Sequence, residues 1–251
     1  MIKFFRHIRK SLIEQNQMGK YFKYAIGEII LVVVGILIAL QINNWNENRK
    51  LQNEINTYLN QKLENLKEDR LRLTEIRDVR IEKAEKSKYI LDNGLENVDP
   101  VTITNTVYFV LVERHFISTI ERNESSTTKY YAGAEEATLN KLEQSYINNI
   151  KEMTLEENRL NTFSENAEFS LWTDGFLVDN RELFSSMLGD LDKSEFKGKV
   201  PELILDSNNG QKALEGIFRR NELASQSLIV KLNNLIEINQ RFIDEIKMYL
   251  N

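Results

Sequence analysis

The stretch GEIILVVVGILIALQINNWNENRK, residues 27–50, decides how the rest of the chain is read. Residues 24–42 hold fifteen apolar side chains in nineteen positions and a single charge, Glu28. Coiled as a helix they extend about 28 Å, close to the roughly 30 Å hydrocarbon core of a bilayer. Twelve of the nineteen are Ile, Leu or Val. At roughly −0.3 to −0.6 kcal/mol each these contribute about −5 kcal/mol, more than the cost of one acidic group, about +3 kcal/mol at mid-membrane. Glu28 is the fifth residue of the run, near one membrane face, which lowers its cost further. The expectation is one transmembrane helix.

Its flanks give that helix a direction. Lys3, Arg6, Arg9, Lys10, Lys20 and Lys23 precede it against Glu14 alone, and a weaker Arg49-Lys50 pair follows. By the positive-inside rule the N-terminus stays in the cytoplasm. The apolar run is longer than a signal-peptide core and ends in Ile-Ala-Leu-Gln-Ile-Asn-Asn-Trp, without an Ala-x-Ala cleavage site, so an uncleaved signal anchor is expected. Trp45 stands where an interfacial aromatic belongs. The expected organisation is a basic cytoplasmic segment at 1–23, a transmembrane helix at 24–42 and a helical domain at 43–251 on the far side of the membrane.

The block KYFKYAIGEIILVVVGILIALQINNWNE, residues 20–47, closely resembles the N-terminal part of a bacterial family, domain of unknown function 6090. The resemblance implies a single-pass inner-membrane protein of a Gram-negative cell with a helical extracytoplasmic part, which makes the domain at 43–251 periplasmic. It implies no catalytic or binding residue.

Composition excludes several chemistries. Cysteine is absent among 251 residues, which removes disulfides and thiolates, and only His7 and His115 offer imidazole. From residue 43 onward the chain carries 27 basic and 36 acidic residues. That acidic balance disfavours nucleic acid, whose phosphates demand Lys and Arg. With two prolines and ten glycines, long helices are expected.

An all-α fold follows, an elongated helical bundle with coiled-coil-like faces. Leu51, Ile55, Leu59, Leu63, Leu66, Leu73 and Ile76 are spaced by three, four and seven, marking one face of a helix that ends near Asn93-Gly94. Nothing at Asn43-Asn44 stops that helix from continuing out of the membrane segment. Asp99-Pro100 reads as an N-cap with proline at the first helical position. The run VTITNTVYFVLVERHFISTI, residues 101–120, then reads as one buried helix, with His115 packed in the core one turn beyond Leu111. A helix is expected over 134–170, an irregular stretch over 171–210 and a last helix over 212–250. In that last helix Leu228, Leu232, Leu235, Asn239, Phe242, Ile246 and Tyr249 keep a four-three repeat, with Asn239 fixing register. The first and last long helices are expected to pair antiparallel.

Candidate sites are few. Glu28 inside a span is a functional candidate by default; its bland reading is a carboxylate that snorkels to water. Gly35-x-x-x-Ala39 permits close helix approach, and Gly27 adds a small position eight residues earlier. Gly27, Glu28, Gly35 and Ala39 are therefore candidate contacts to a partner membrane helix, and Gln41, Asn43, Asn44 and Trp45 form a candidate interfacial collar. Asp190, Asp192 and Ser194 imitate the start of a calcium loop, but Glu195 replaces its turn glycine and Pro201 its last ligand. The pairs Glu135-Glu136 and Glu156-Glu157 point to different sides of a helix and read as solvated faces. Asn123 opens a glycosylation sequon of no weight in a bacterium.

No metal, cofactor or catalytic set is expected, and the chain is read as a non-enzyme. The leading expectation is an assembly role with bilayer lipid plus a membrane or periplasmic protein, or a second copy, as partners. The rival is a periplasmic ligand-binding, sensor-like domain acting through a partner, with Tyr108, Phe109, Phe116, Tyr130 and Tyr131 lining a pocket.

Overall fold

A computed structural model describes residues 18–120, 134–173 and 208–250. All the regular structure among them is helical: α1 Met18–Asn93, a short 3-10 turn Leu95–Asn97, α2 Pro100–Leu111, α3 Ala134–Thr173 and α4 Asn208–Leu250. The chain divides into two compact units, Met1–Tyr58 and Leu59–Asn251. The expected calcium-loop imitation, the sequon, Tyr130, Tyr131, His7 and most of the irregular stretch lie outside the described residues.

In the first unit α1 presents its apolar side chains outward. Every large hydrophobic from Ile29 to Ile42 is exposed. One 18-residue window has a mean hydropathy of 2.6 with no part of it buried, which makes this part of α1 long and apolar enough to cross a membrane. No helix break falls at Asn43-Asn44.

In the second unit the expected spacings become a core. On α1, Leu59, Leu63, Leu66 and Leu73 are buried; on α4, Leu228, Leu232, Leu235, Asn239, Phe242 and Ile246 are. Asn239 Nδ2 donates to the Leu66 carbonyl at 3.0 Å and Lys62 Nζ lies 5.9 Å from the Phe242 ring centre. Rising numbers on α1 meet falling numbers on α4, so the two helices pair antiparallel as expected. α3 runs parallel to α1, because Lys62 pairs with Glu143 and Arg80 with Glu157. At one end, α2 closes the bundle through Ile103, Val107, Val110 and Leu111, packed with Ile90, Leu171, Leu214 and Phe218.

The punctuation between α1 and α2 follows the sequence. Gly94 sits at φ 80°, where a Cβ would meet Glu96 Oε1 at 2.6 Å, so glycine is required there. Asp99 Oδ2 accepts from the Thr102 amide at 3.0 Å, and Pro100 opens α2.

The helix expected over 101–120 is corrected. α2 ends at Leu111, and residues 112–120 form a strap without helical structure. Lys83 Nζ donates to the carbonyls of Val110 and Val112 at 3.0 and 2.5 Å. It satisfies the freed carbonyls at the C-terminus with a cationic donor, a favourable arrangement at that end of a helix. Beyond this point much of the strap main chain bonds to side chains of α1 and α3.

Candidate functional site

The strap runs back along α1 in a groove that α3 completes. Proceeding along it, Val112 meets Lys83, the Ile117 carbonyl meets Arg72 at 3.5 Å, and Thr119 Oγ1 donates to the Asn65 carbonyl at 3.1 Å. From α3, Asn161 Nδ2 donates to the Arg114 carbonyl at 2.9 Å and Glu157 Oε2 accepts from the Phe116 amide at 3.1 Å. Most of these contacts engage strap main chain, so α1 and α3 supply the side chains that replace a helix or sheet ladder.

Three polar anchors under the strap are fully enclosed. Asp69, 0% exposed, accepts from Ser118 Oγ, the Thr119 amide at 2.8 Å, Thr119 Oγ1 at 2.9 Å and Tyr146 OH at 3.1 Å. Arg80, 1% exposed, pairs with Glu157 at 3.2 Å, yet its Nε has no hydrogen-bond partner among the described residues. Lys83, 0% exposed, has among the described residues the two carbonyls and the Phe109 ring face, 5.9 Å away. Burial, then the positive charges of Arg80 and Arg114, pull the Lys83 ammonium down to about 7 against a weaker pull from Glu157. Burial likewise lowers Lys62 and Arg80, offset in part by Glu143 and Glu157. Tyr108 moves the other way, up to about 12, through burial and then the nearby Glu168 charge.

These directions give stability a pH profile. Between pH about 7 and 10.5 the unfolded chain keeps the Lys83 proton and the folded chain releases it, so stability rises with pH. Between about 10 and 12 the folded chain retains the Tyr108 proton that the unfolded chain loses, so stability falls. A maximum near pH 10 is expected, with a Lys83 slope of at most about 1.4 kcal/mol per pH unit below it. Urea titrations at pH 7, 8 and 9 measure this rise, and Lys83→Met flattens it.

A cavity of about 430 Å³ opens beside the strap, lined by Arg72, Glu75 and Ile76 of α1 and by Glu113, Arg114, His115, Phe116 and Ile117. His115 is corrected here. Its side chain is 56% exposed, 3.2 Å from Glu113 and 3.4 Å from Asn161 Nδ2, and it packs in no core. Glu156 and Glu157 do point apart, but Glu157 is buried rather than solvated. Of the expected aromatic pocket, Phe116 alone among the described residues lines this cavity; Tyr108 is buried in the α2 cluster and Phe109 lies 5.1 Å from Lys86 Nζ.

The candidates on the membrane segment are placed by α1 itself. At 100° per residue Glu28, Gly35 and Ala39 fall within about 40° of one another, while Gly27 stands about 80° away from Gly35. A Cβ added at Gly27 or Gly35 meets nothing within 4 Å. In the collar Asn43 Nδ2 donates to Glu47 Oε1 at 2.9 Å and the Arg49 guanidinium covers the Trp45 ring at 5.1 Å. Gln41 and Asn44 are exposed on the same helix.

Reasoning from sequence missed Asp69, Arg80, Lys83 and Glu157. A signal existed: Arg80 and Ser87 continue the seven-residue series Leu59, Leu66, Leu73, so the apolar face of α1 turns polar at its far end. A model described as a family of unknown function, DUF6090, matches residues 28–164, taking in Glu28, Gly35 and Ala39 but not Gly27, together with the strap and these four residues. No curated protein and no solved structure matches the chain.

Proposed function

We propose, for a chain that belongs to the DUF6090 family of unknown function, a non-catalytic assembly role in the inner membrane. In this reading α1 crosses the bilayer once, the N-terminus is cytoplasmic and the helical bundle is periplasmic. The observation that carries it is the wholly unburied apolar window of α1, a surface that water disfavours and lipid accepts. The basic residues before the span support the orientation. Open space before Gly35 supports close approach by a second membrane helix along the Glu28–Gly35–Ala39 face, with the Gln41, Asn43, Asn44 and Trp45 collar beside the outer headgroups. That helix belongs to a membrane protein partner or to a second copy of the chain.

The absence of cysteine makes the test clean, since any introduced thiol is the only one. Asn60→Cys is expected to react with a membrane-impermeant maleimide in intact spheroplasts, and Ser11→Cys only after lysis; the reverse pattern defeats the orientation. A photo-cross-linker at Leu31 is expected to capture one partner, and Gly35→Ile or Glu28→Leu to abolish the capture without loss of membrane insertion. Capture unchanged by both substitutions removes this face from the proposal.

The cavity beside the strap favours a second reading, a ligand-binding domain whose state is passed to a partner. Its volume lies in the range of small-molecule sites.

A further inference from the structure

We infer that the cavity between α1 and the strap binds a small monocarboxylate with an apolar body, anchored by Arg114. This deepens the ligand-binding reading and is independent of how the chain sits in a membrane. The lining divides into an apolar part, Ile76, Phe116 and Ile117, and a charged part, Arg72, Glu75, Glu113, Arg114 and His115. Most charged members already have partners. Arg72 bonds Glu68 at 2.5 Å and the Ile117 carbonyl, and His115 faces Glu113. Arg114 differs: its Nε is buried and has no hydrogen-bond partner among the described residues.

The charge behind Arg114 points the same way. Arg80 and Lys83 are both enclosed and both sense the Arg114 charge, while Glu157 is the carboxylate that acts on both. Glu157 thus faces both Arg80 and Lys83, and the Arg114 charge adds to theirs beside it. A carboxylate seated on Arg114 supplies a second negative charge and accepts the guanidinium hydrogens in a planar, two-pronged geometry. A single negative charge suits the wall, because Glu75 and Glu113 would repel a dianion such as phosphate. Ile76, Phe116 and Ile117 then cover the apolar body of the ligand.

The test uses the full chain in lipid nanodiscs, with benzoate as probe and benzyl alcohol as its neutral counterpart, read by calorimetry with empty nanodiscs as blank. Benzoate is expected to bind about tenfold or more tightly than benzyl alcohol. Arg114→Gln is expected to remove most of that preference. Glu75→Gln, which leaves the buried charges in place, is expected to tighten benzoate severalfold by removing a repelling carboxylate. Equal binding of benzoate and benzyl alcohol overturns the carboxylate assignment and leaves the cavity as an apolar ligand site. Binding of neither probe overturns the ligand-binding reading as well. A benzoate preference indifferent to both substitutions places the ligand elsewhere and also defeats the inference.

Discussion

Asp69→Ala lowers the stability of the bundle by about 3–5 kcal/mol, the loss expected when several enclosed donors lose a charged acceptor together. Four donors converge on this carboxylate from the strap and from α3. The three hydroxyls can turn toward other acceptors, but the Thr119 amide is fixed by the backbone and is left without its partner. The damage is therefore concentrated in the strap. Hydrogen exchange is expected to accelerate first at residues 116–120, before the α3–α4 pairing is affected. Urea unfolding followed by circular dichroism gives the total, and Asp69→Asn, which keeps one acceptor oxygen, is expected to lose roughly half as much. A uniform exchange increase across all helices contradicts this account.

The Arg80–Glu157 pair gives the second large effect. Glu157→Leu strands the Arg80 guanidinium at 1% exposure and removes the acceptor of the Phe116 amide, costing about 3–5 kcal/mol. Because the desolvation of two buried ions rivals their attraction, Arg80→Met combined with Glu157→Leu is expected to regain most of that loss. The missing Phe116 bond, about 1 kcal/mol, is not regained. If the double variant is no more stable than Glu157→Leu alone, the stranded charge is not the cause.

The long helices were legible because their spacing reports only local geometry. Leu228 to Ile246 and Leu59 to Leu73 repeat at helical intervals, and each repeat is buried in the structure. Gly94 and Asp99-Pro100 were legible for the same reason, since a positive φ and an N-cap depend on near neighbours. The strap was not. Its apolar residues keep a helical phase through Ile117 and Ile120, but its main chain is held by Lys83, Asp69, Glu157 and Asn161, which lie 29 to 50 positions away. Those long-range donors and acceptors outcompete the helix, and no periodicity within residues 101–120 reports them. The candidate cavity was hidden with it, because Arg114 and His115 face that space only once the helix has ended. On the membrane segment the sequence reading grouped Gly27 with Glu28, Gly35 and Ala39, although 100° per residue sets Gly27 about 80° from Gly35.

The hydrogen bond from Asn239 to the Leu66 carbonyl joins residues 173 positions apart. A ribosome adding about 5–20 residues per second needs roughly ten to thirty seconds to cover that interval. For the first part of it the stretch of α1 beyond Tyr58 exists without α3, and for all of it without a complete α4. Leu59, Leu66 and Leu73 are then exposed on a nascent chain. Asp69, between Leu66 and Leu73, interrupts that stripe, and Arg80, next in the same seven-residue series, ends it. The groups that must be desolvated in the finished bundle thus shorten the apolar stripe that the nascent chain exposes before its last helix is made.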